Sequence, residues 1–282
     1  MKVRPPTNDG DLKEYNLSES TVTNPRIYFV NGIRVLPIDH AKLAAYLSLL
    51  IERPIWGVYN ATAGQRLGSL VDLLQCVADY AQNATARLTS HRNLGRPARV
   101  SEEQIPQFLA NLERNYVVWN RATLSLFRQL ILHRRQTQYI IAHSQGNLIT
   151  SNALFVMEDV LGSAGLRQVR VYSLASPSPA WPLGLRITNG GGGRQDNAFM
   201  NDLVALLRPH NLAARVGIGG LQNAGDFRVD SASGPVALGP HDAGRIIETL
   251  NFLKSIRGDL GLSRDITPAF LENCRTRAAA AF

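Results

Sequence analysis

The stretch "QYIIAHSQGNL", residues 138–148, decides how the rest of the chain is read. Tyr139, Ile140 and Ile141 are strand formers that lead straight into a serine held between small residues. From residue 145 to 161 apolar side chains recur at helical spacing, and Gly162 ends the run. A strand that becomes a helix within one residue needs a sharp turn. The pattern small-x-Ser-x-Gly in that context strains the serine backbone and lifts its hydroxyl clear of the sheet. Ala142 takes the first small position and Gly146 the second, where strand and helix approach closely. Ser144 also falls at a helix N-terminus, whose unpaired N–H groups favour developing negative charge. His143, beside the serine, points away from its hydroxyl and reads as a packing residue.

Working outward, strands and helices alternate. "RIYFV" (26–30) is a short β-rich run ended by Asn31 and Gly32. Leu43, Tyr46, Leu47, Leu50 and Ile51 then mark a helix over 38–52. "IWGVYNAT" (55–62) reads as a buried strand, and Leu67, Leu70, Val71, Leu74, Val77, Ala78 and Ala81 as one apolar helical stripe over 65–83. Beyond the central serine come "VRVYSLA" (169–175) and "LGLRITN" (183–189) as strands, a glycine run over 190–193, a short helix near 201–207 and an amphipathic helix over 242–257. Such alternation implies one α/β domain whose parallel sheet is covered on both faces. Residues 84–135 break the alternation. Ser101 to Gln104 looks like a capping box, and two amphipathic segments follow without a strand between them. This piece is read either as a lid or as ordinary helices packed on the sheet. Residues 1–24 are polar and turn-rich and read as an arm, residues 25–260 as the domain, and 261–282 as a C-terminal tail.

Composition narrows the function classes. At 45% hydrophobic and 18% charged over 282 residues, the chain is too apolar for a disordered protein and long enough for a substantial core. The start, "MKVRPPTNDGDLKEYN", has no apolar run of the signal-peptide kind, and no stretch approaches a membrane span. The expectation is a cytoplasmic protein or one exported without a cleaved signal. The two cysteines, Cys76 and Cys274, lie far apart and form neither a metal spacing nor a disulfide framework; Cys76 reads as a buried thiol. The net charge of +8 is spread over scattered arginines. It reads first as a dispersed, solvating surface, and otherwise as one that favours encounter with anionic membranes, nucleic acid or acidic substrates. No basic helix, aromatic-basic interleaving or zinc motif points to nucleic acid.

With the strand–serine–helix motif in place, the sequence resembles the α/β-hydrolase superfamily, its lipase- and esterase-like members in particular, over roughly residues 25–257. The resemblance implies an α/β-hydrolase fold: a mainly parallel central sheet, helices on both faces and a helical insertion. It implies Ser144 as nucleophile of a Ser-His-Asp triad and no cofactor or metal. "YFVNGIRV" resembles the loop after an early strand that supplies an oxyanion donor, with Asn31 in place of the usual histidine. A backbone N–H of Gly32 or Ile33 would then join that of Gln145. The competing reading of Asn31-Gly32 is a hairpin turn. "RITN", the glycine-rich loop and "NDLVALL" resemble the acid-bearing segment and point to Asp202, with Asp196 as rival and a helix-capping role as the bland reading. "LGPHDAGRIIETL" supplies His241 just before the last helix, in the order Ser…Asp…His; His210 is the alternative. The implied reaction is hydrolysis of carboxylic esters through an acyl-enzyme, with lipid or other apolar acyl esters as substrates. Thioesterases and acyltransferases use the same triad, and a catalytically inactive binding protein is the competing class.

Overall fold

The computed structural model describes residues 3–32, 35–61, 78–79, 100–111, 120–174, 176, 178, 181–189, 198–199, 227–228 and 252–282. Among these the elements run β1 (Leu12–Tyr15), β2 (Arg26–Val30), α1 (Pro37–Leu50), β3 (Ile55–Val58), α2 (Ile105–Ala110), α3 (Arg121–Leu132), β4 (Gln138–His143), α4 (Gln145–Leu161), β5 (Val169–Leu174) and β6 (Arg186–Asn189). Two-residue strands β7 (Ala198–Phe199) and β8 (Phe227–Arg228) pair with each other in parallel. Helices α5 (Phe252–Asp259) and α6 (Pro268–Ala280) complete the chain.

Six strands form one sheet in the order β1-β3-β2-β4-β5-β6. β1 runs antiparallel to β3, and every other neighbouring pair is parallel. The central strands are near-continuous apolar runs because both of their faces are covered. Successive side chains alternate between those faces. Ile27, Phe29, Ile141 and Tyr172 point to one side, where they pack with Ala41, Ala44, Leu47 and Leu50 of α1 and Phe252 and Ile256 of α5. Tyr28, Val30, Ile140 and Val171 point to the other, against Leu126 and Leu130 of α3 and Ile149, Ala153 and Met157 of α4. The result is a mostly parallel sheet between helical layers, an α/β architecture.

Local chemistry fixes the helix ends. Pro37 opens α1, where its missing N–H costs nothing. Arg257 of α5 donates to the carbonyl of Leu50 and pairs with Glu52 at 3.0 Å, placing a cation at the C-terminus of α1. Asn120 caps α3 by accepting from the Ala122 N–H at 2.8 Å. Ser101 donates its N–H to Gln104 Oε1 at 3.1 Å, which starts the turn before α2.

The structure departs from the sequence reading at the edges. The polar arm expected over 1–24 contains β1: Tyr15 is buried in the core, and Gly10 donates to the Tyr59 carbonyl at 2.8 Å. The tail expected over 261–282 contains α6, capped by Thr267, which buries Cys274 and Ala278 with α1. Val3 donates to the Ala281 carbonyl at 3.0 Å, so the two terminal segments meet. Within the 84–135 segment both described helices contact the core. Ile105 of α2 and Leu126, Phe127 and Leu130 of α3 enter the core, and Phe108 meets Phe127 edge-on at 6.1 Å. The strand expected over 55–62 stops at Val58, and the one over 183–189 begins only at Arg186, after Gly184 at φ +77°. Ala78 and Asp79 are helical, but Ala78 is exposed and Asp79 buried, the reverse of the apolar stripe assigned there. The rest of that stripe, Cys76, the glycine run and the helix near 201–207 lie outside the described residues. No helix among the described residues is long and apolar enough to cross a membrane.

Candidate active site

Ser144 joins β4 to α4 with φ 55° and ψ −126°. A side chain with a Cβ rarely adopts positive φ, and such a residue stores about 1–3 kcal/mol that its surroundings must hold. Here they do so through the end of β5 and the first turn of α4. The Ser144 N–H donates to the Leu174 carbonyl at the end of β5, at 3.0 Å. The Ser144 carbonyl accepts from the Asn147 N–H at 2.9 Å and from Asn147 Nδ2 at 3.1 Å. That same Nδ2 donates to the Leu174 carbonyl at 2.9 Å, so Asn147 staples the turn to β5.

The small residues around the serine are sterically required. A Cβ on Gly146 would stand 2.3 Å from the carbonyl oxygen of Val30, so α4 starts in contact with the end of β2. A Cβ on Gly32 would stand 2.5 Å from Ser144 Cβ and 2.9 Å from its Oγ. The loop after β2 therefore lies directly against the serine hydroxyl. Ser144 is fully buried, and its hydroxyl has no hydrogen-bond partner among the described residues. It sits at the N-terminus of a 17-residue helix whose first N–H groups, Gln145 among them, lack intrahelical acceptors. A hydroxyl, a helix N-terminus and a closely apposed glycine loop together can bind and stabilise an oxyanion.

Of the residues proposed from the sequence, Ser144, Gln145 and Gly32 come together. The hairpin reading of Asn31-Gly32 fails, because β2 is followed by α1 and pairs in parallel with β3 and β4. Ile33, Asp202 and His241, with the rivals Asp196 and His210, lie outside the described residues. His143 is buried at the end of β4, opposite Leu174.

Beneath the serine lies a buried polar network that the sequence reading missed. Gln145 Nε2 donates to Asp79 Oδ2 at 2.5 Å, and Gln145 Oε1 accepts from Asn60 Nδ2 at 3.0 Å. Asn120 Nδ2 reaches Asn60 Oδ1 at 3.3 Å and Asp79 Oδ2 at 3.4 Å. The Asn60 N–H donates to Asn31 Oδ1 at 2.9 Å, and Asn31 Nδ2 donates to the carbonyls of Asn60 and Gly32, each at 2.9 Å. Burial pushes the Asp79 carboxyl up to about 6, helped by the charge of Asp9 and opposed by the Gln145 and Asn120 amides. Asp9 itself accepts from the Ala61 N–H at 2.9 Å, tying the N-terminal segment to the loop that carries Asn60. The one available signal was an acid, Asp79, directly beside Val77 and Ala78 of the apolar stripe. No group of three or more metal-ligating side chains occurs among the described residues.

No protein-family model matches the chain, and neither curated proteins nor solved structures give a match.

Proposed function

We propose that the protein is a serine hydrolase of the α/β-hydrolase type that cleaves carboxylic esters, in the manner of lipases and esterases. The observation that carries this reading is Ser144 at φ 55° between a central parallel strand and a long helix, with Gly32 packed on its hydroxyl. A strained conformation persists where the surroundings over-determine it, and strand–turn–helix is the setting of a nucleophile elbow.

In the proposed mechanism Ser144 Oγ attacks the ester carbonyl carbon while its proton passes to His241. Asp202 holds the imidazole in the right tautomer and stabilises the imidazolium. The N–H of Gln145 and one from the Gly32–Ile33 segment receive the oxyanion. Collapse of the tetrahedral species breaks the ester C–O bond, and the alcohol leaves with the proton from His241. Water, deprotonated by His241, then attacks the acyl-enzyme; the acid departs and the proton returns to Ser144. Apolar acyl esters presented at an anionic membrane surface suit the net charge of +8.

Hydrolysis of a short p-nitrophenyl ester tests the assignment. Ser144→Ala and His241→Ala should abolish turnover, and Asp202→Asn should reduce it by up to about 10⁴, by analogy with serine proteases. Near-normal turnover by Asp202→Asn with a large loss in Asp196→Asn would transfer the acid to Asp196. Wild-type turnover by Ser144→Ala would end the proposal.

A further inference from the structure

We propose that Asp79 is a positioning residue for oxyanion stabilisation, acting through the side chains of Gln145, Asn60 and Asn31 to fix both halves of the oxyanion pocket. The inference rests on the serine-hydrolase reading given above.

The two backbone segments assigned to the pocket belong to different elements. Gln145 begins α4, and Gly32 follows β2. A continuous hydrogen-bonded path joins them: Asp79 to the Gln145 side chain, Gln145 to Asn60, Asn60 to Asn31, and Asn31 to the Gly32 carbonyl. The Asp79, Asn60, Asn31 and Gln145 side chains are all buried. Leaving any one of them unpaired costs about 1–3 kcal/mol, so the network holds its geometry rather than fraying.

Asp79 differs in kind from the amides. An amide side chain has both a donor and an acceptor end and can flip, whereas a carboxylate only accepts. Both amides that reach Asp79 Oδ2 must therefore present nitrogen to it. With its nitrogen so committed, Gln145 turns Oε1 toward Asn60 Nδ2, and Asn60 must in turn offer Oδ1 to Asn120. Asp79 sets the direction of the chain of bonds, and with it the angle at which the Gln145 peptide enters α4. Donors aimed at developing charge act in proportion to their alignment, and a misplacement of about 1 Å costs up to about 10² in rate.

The test compares kcat and KM for a short p-nitrophenyl ester in the full chain and three variants. Asp79→Ala should lower kcat about 10- to 100-fold with KM changed less than about threefold, because only the transition state carries the oxyanion. Asp79→Asn can place an amide oxygen where Oδ2 stands, and the Gln145 and Asn120 nitrogens that converge there favour that orientation over its flip. It should return kcat to within about threefold of the wild type, less than one ordinary hydrogen bond. Gln145→Met keeps the backbone N–H and loses only the side-chain link. It should reproduce the kcat loss, and the Asp79→Ala/Gln145→Met double variant should be no slower than either single one. Should Asp79→Ala fail to fold, Gln145→Met carries the same test. Wild-type kcat in Gln145→Met, a loss confined to KM, or Asp79→Asn as slow as Asp79→Ala would each overturn the proposal while the hydrolase reading stands. A wild-type chain inert toward esters and a fluorophosphonate probe would remove that reading and this one together.

Discussion

At Ser144 the backbone holds a conformation that glycine would adopt freely. Ser144→Gly should therefore stabilise the fold by about 1 kcal/mol, the relieved strain less the entropy cost of a glycine, while removing the hydroxyl. Urea denaturation of the two proteins measures this; a variant less stable than the parent would show that Ser144 is not strained. Asp79 gives a second residue-scale outcome. Its carboxyl is raised by burial from 3.8 to about 6, so the native state binds this proton more tightly than the unfolded chain does. The stability that goes with protonation is full below about pH 4 and lost as pH rises through about 6. Asparagine carries no charge to bury. Asp79→Asn should match the wild type near pH 4 and exceed it above pH 6 by up to about 3 kcal/mol. Asp9 and Arg121 stay in place in both proteins, and Asp9 is itself raised by burial. A stability difference between the two that stays constant from pH 4 to 8 would contradict the buried, shifted carboxyl.

At the scale of elements, the parts buried on both faces were legible in the sequence and the edges were not. "RIYFV" is apolar after Arg26 and forms β2 over the residues expected; α4 likewise runs from Gln145 to Leu161. β1 was hidden because an edge strand needs only Tyr15 buried, leaving "LKEY" to look like a polar turn. α6 was hidden because only Cys274 and Ala278 are fully buried among charged neighbours, so no apolar stripe marks it. Yet Phe270 and Leu271 also pack on the core from that helix. Truncation after residue 261 should therefore cost at least about 3 kcal/mol, the burial of one or two large side chains. Thermal unfolding unchanged by the truncation would return this segment to the status of a tail. The polar network was illegible for another reason. Asn31, Asn60, Asp79 and Gln145 are far apart in the chain; the register of β2 against β3 and β4 brings the first, second and last together, and Asp79 joins them from a helical segment.

For the whole molecule, the sheet order places the ends of β2 and β4 side by side. Chain reversal at both ends then puts the Gly32 loop against Ser144 and the start of α4 against Val30. The proposed chemistry rests on that convergence, and among the described serines Ser144 alone has positive φ. A fluorophosphonate probe reacts with a serine only where a base and an oxyanion pocket activate it. The direct measurement is to label the folded protein with such a probe, digest it and map the adduct by peptide mass spectrometry. The predicted result is one adduct, on Ser144, absent from Ser144→Ala and strongly slowed in His241→Ala. A folded wild-type chain with no adduct on Ser144, or with the adduct on another serine, would contradict the assignment.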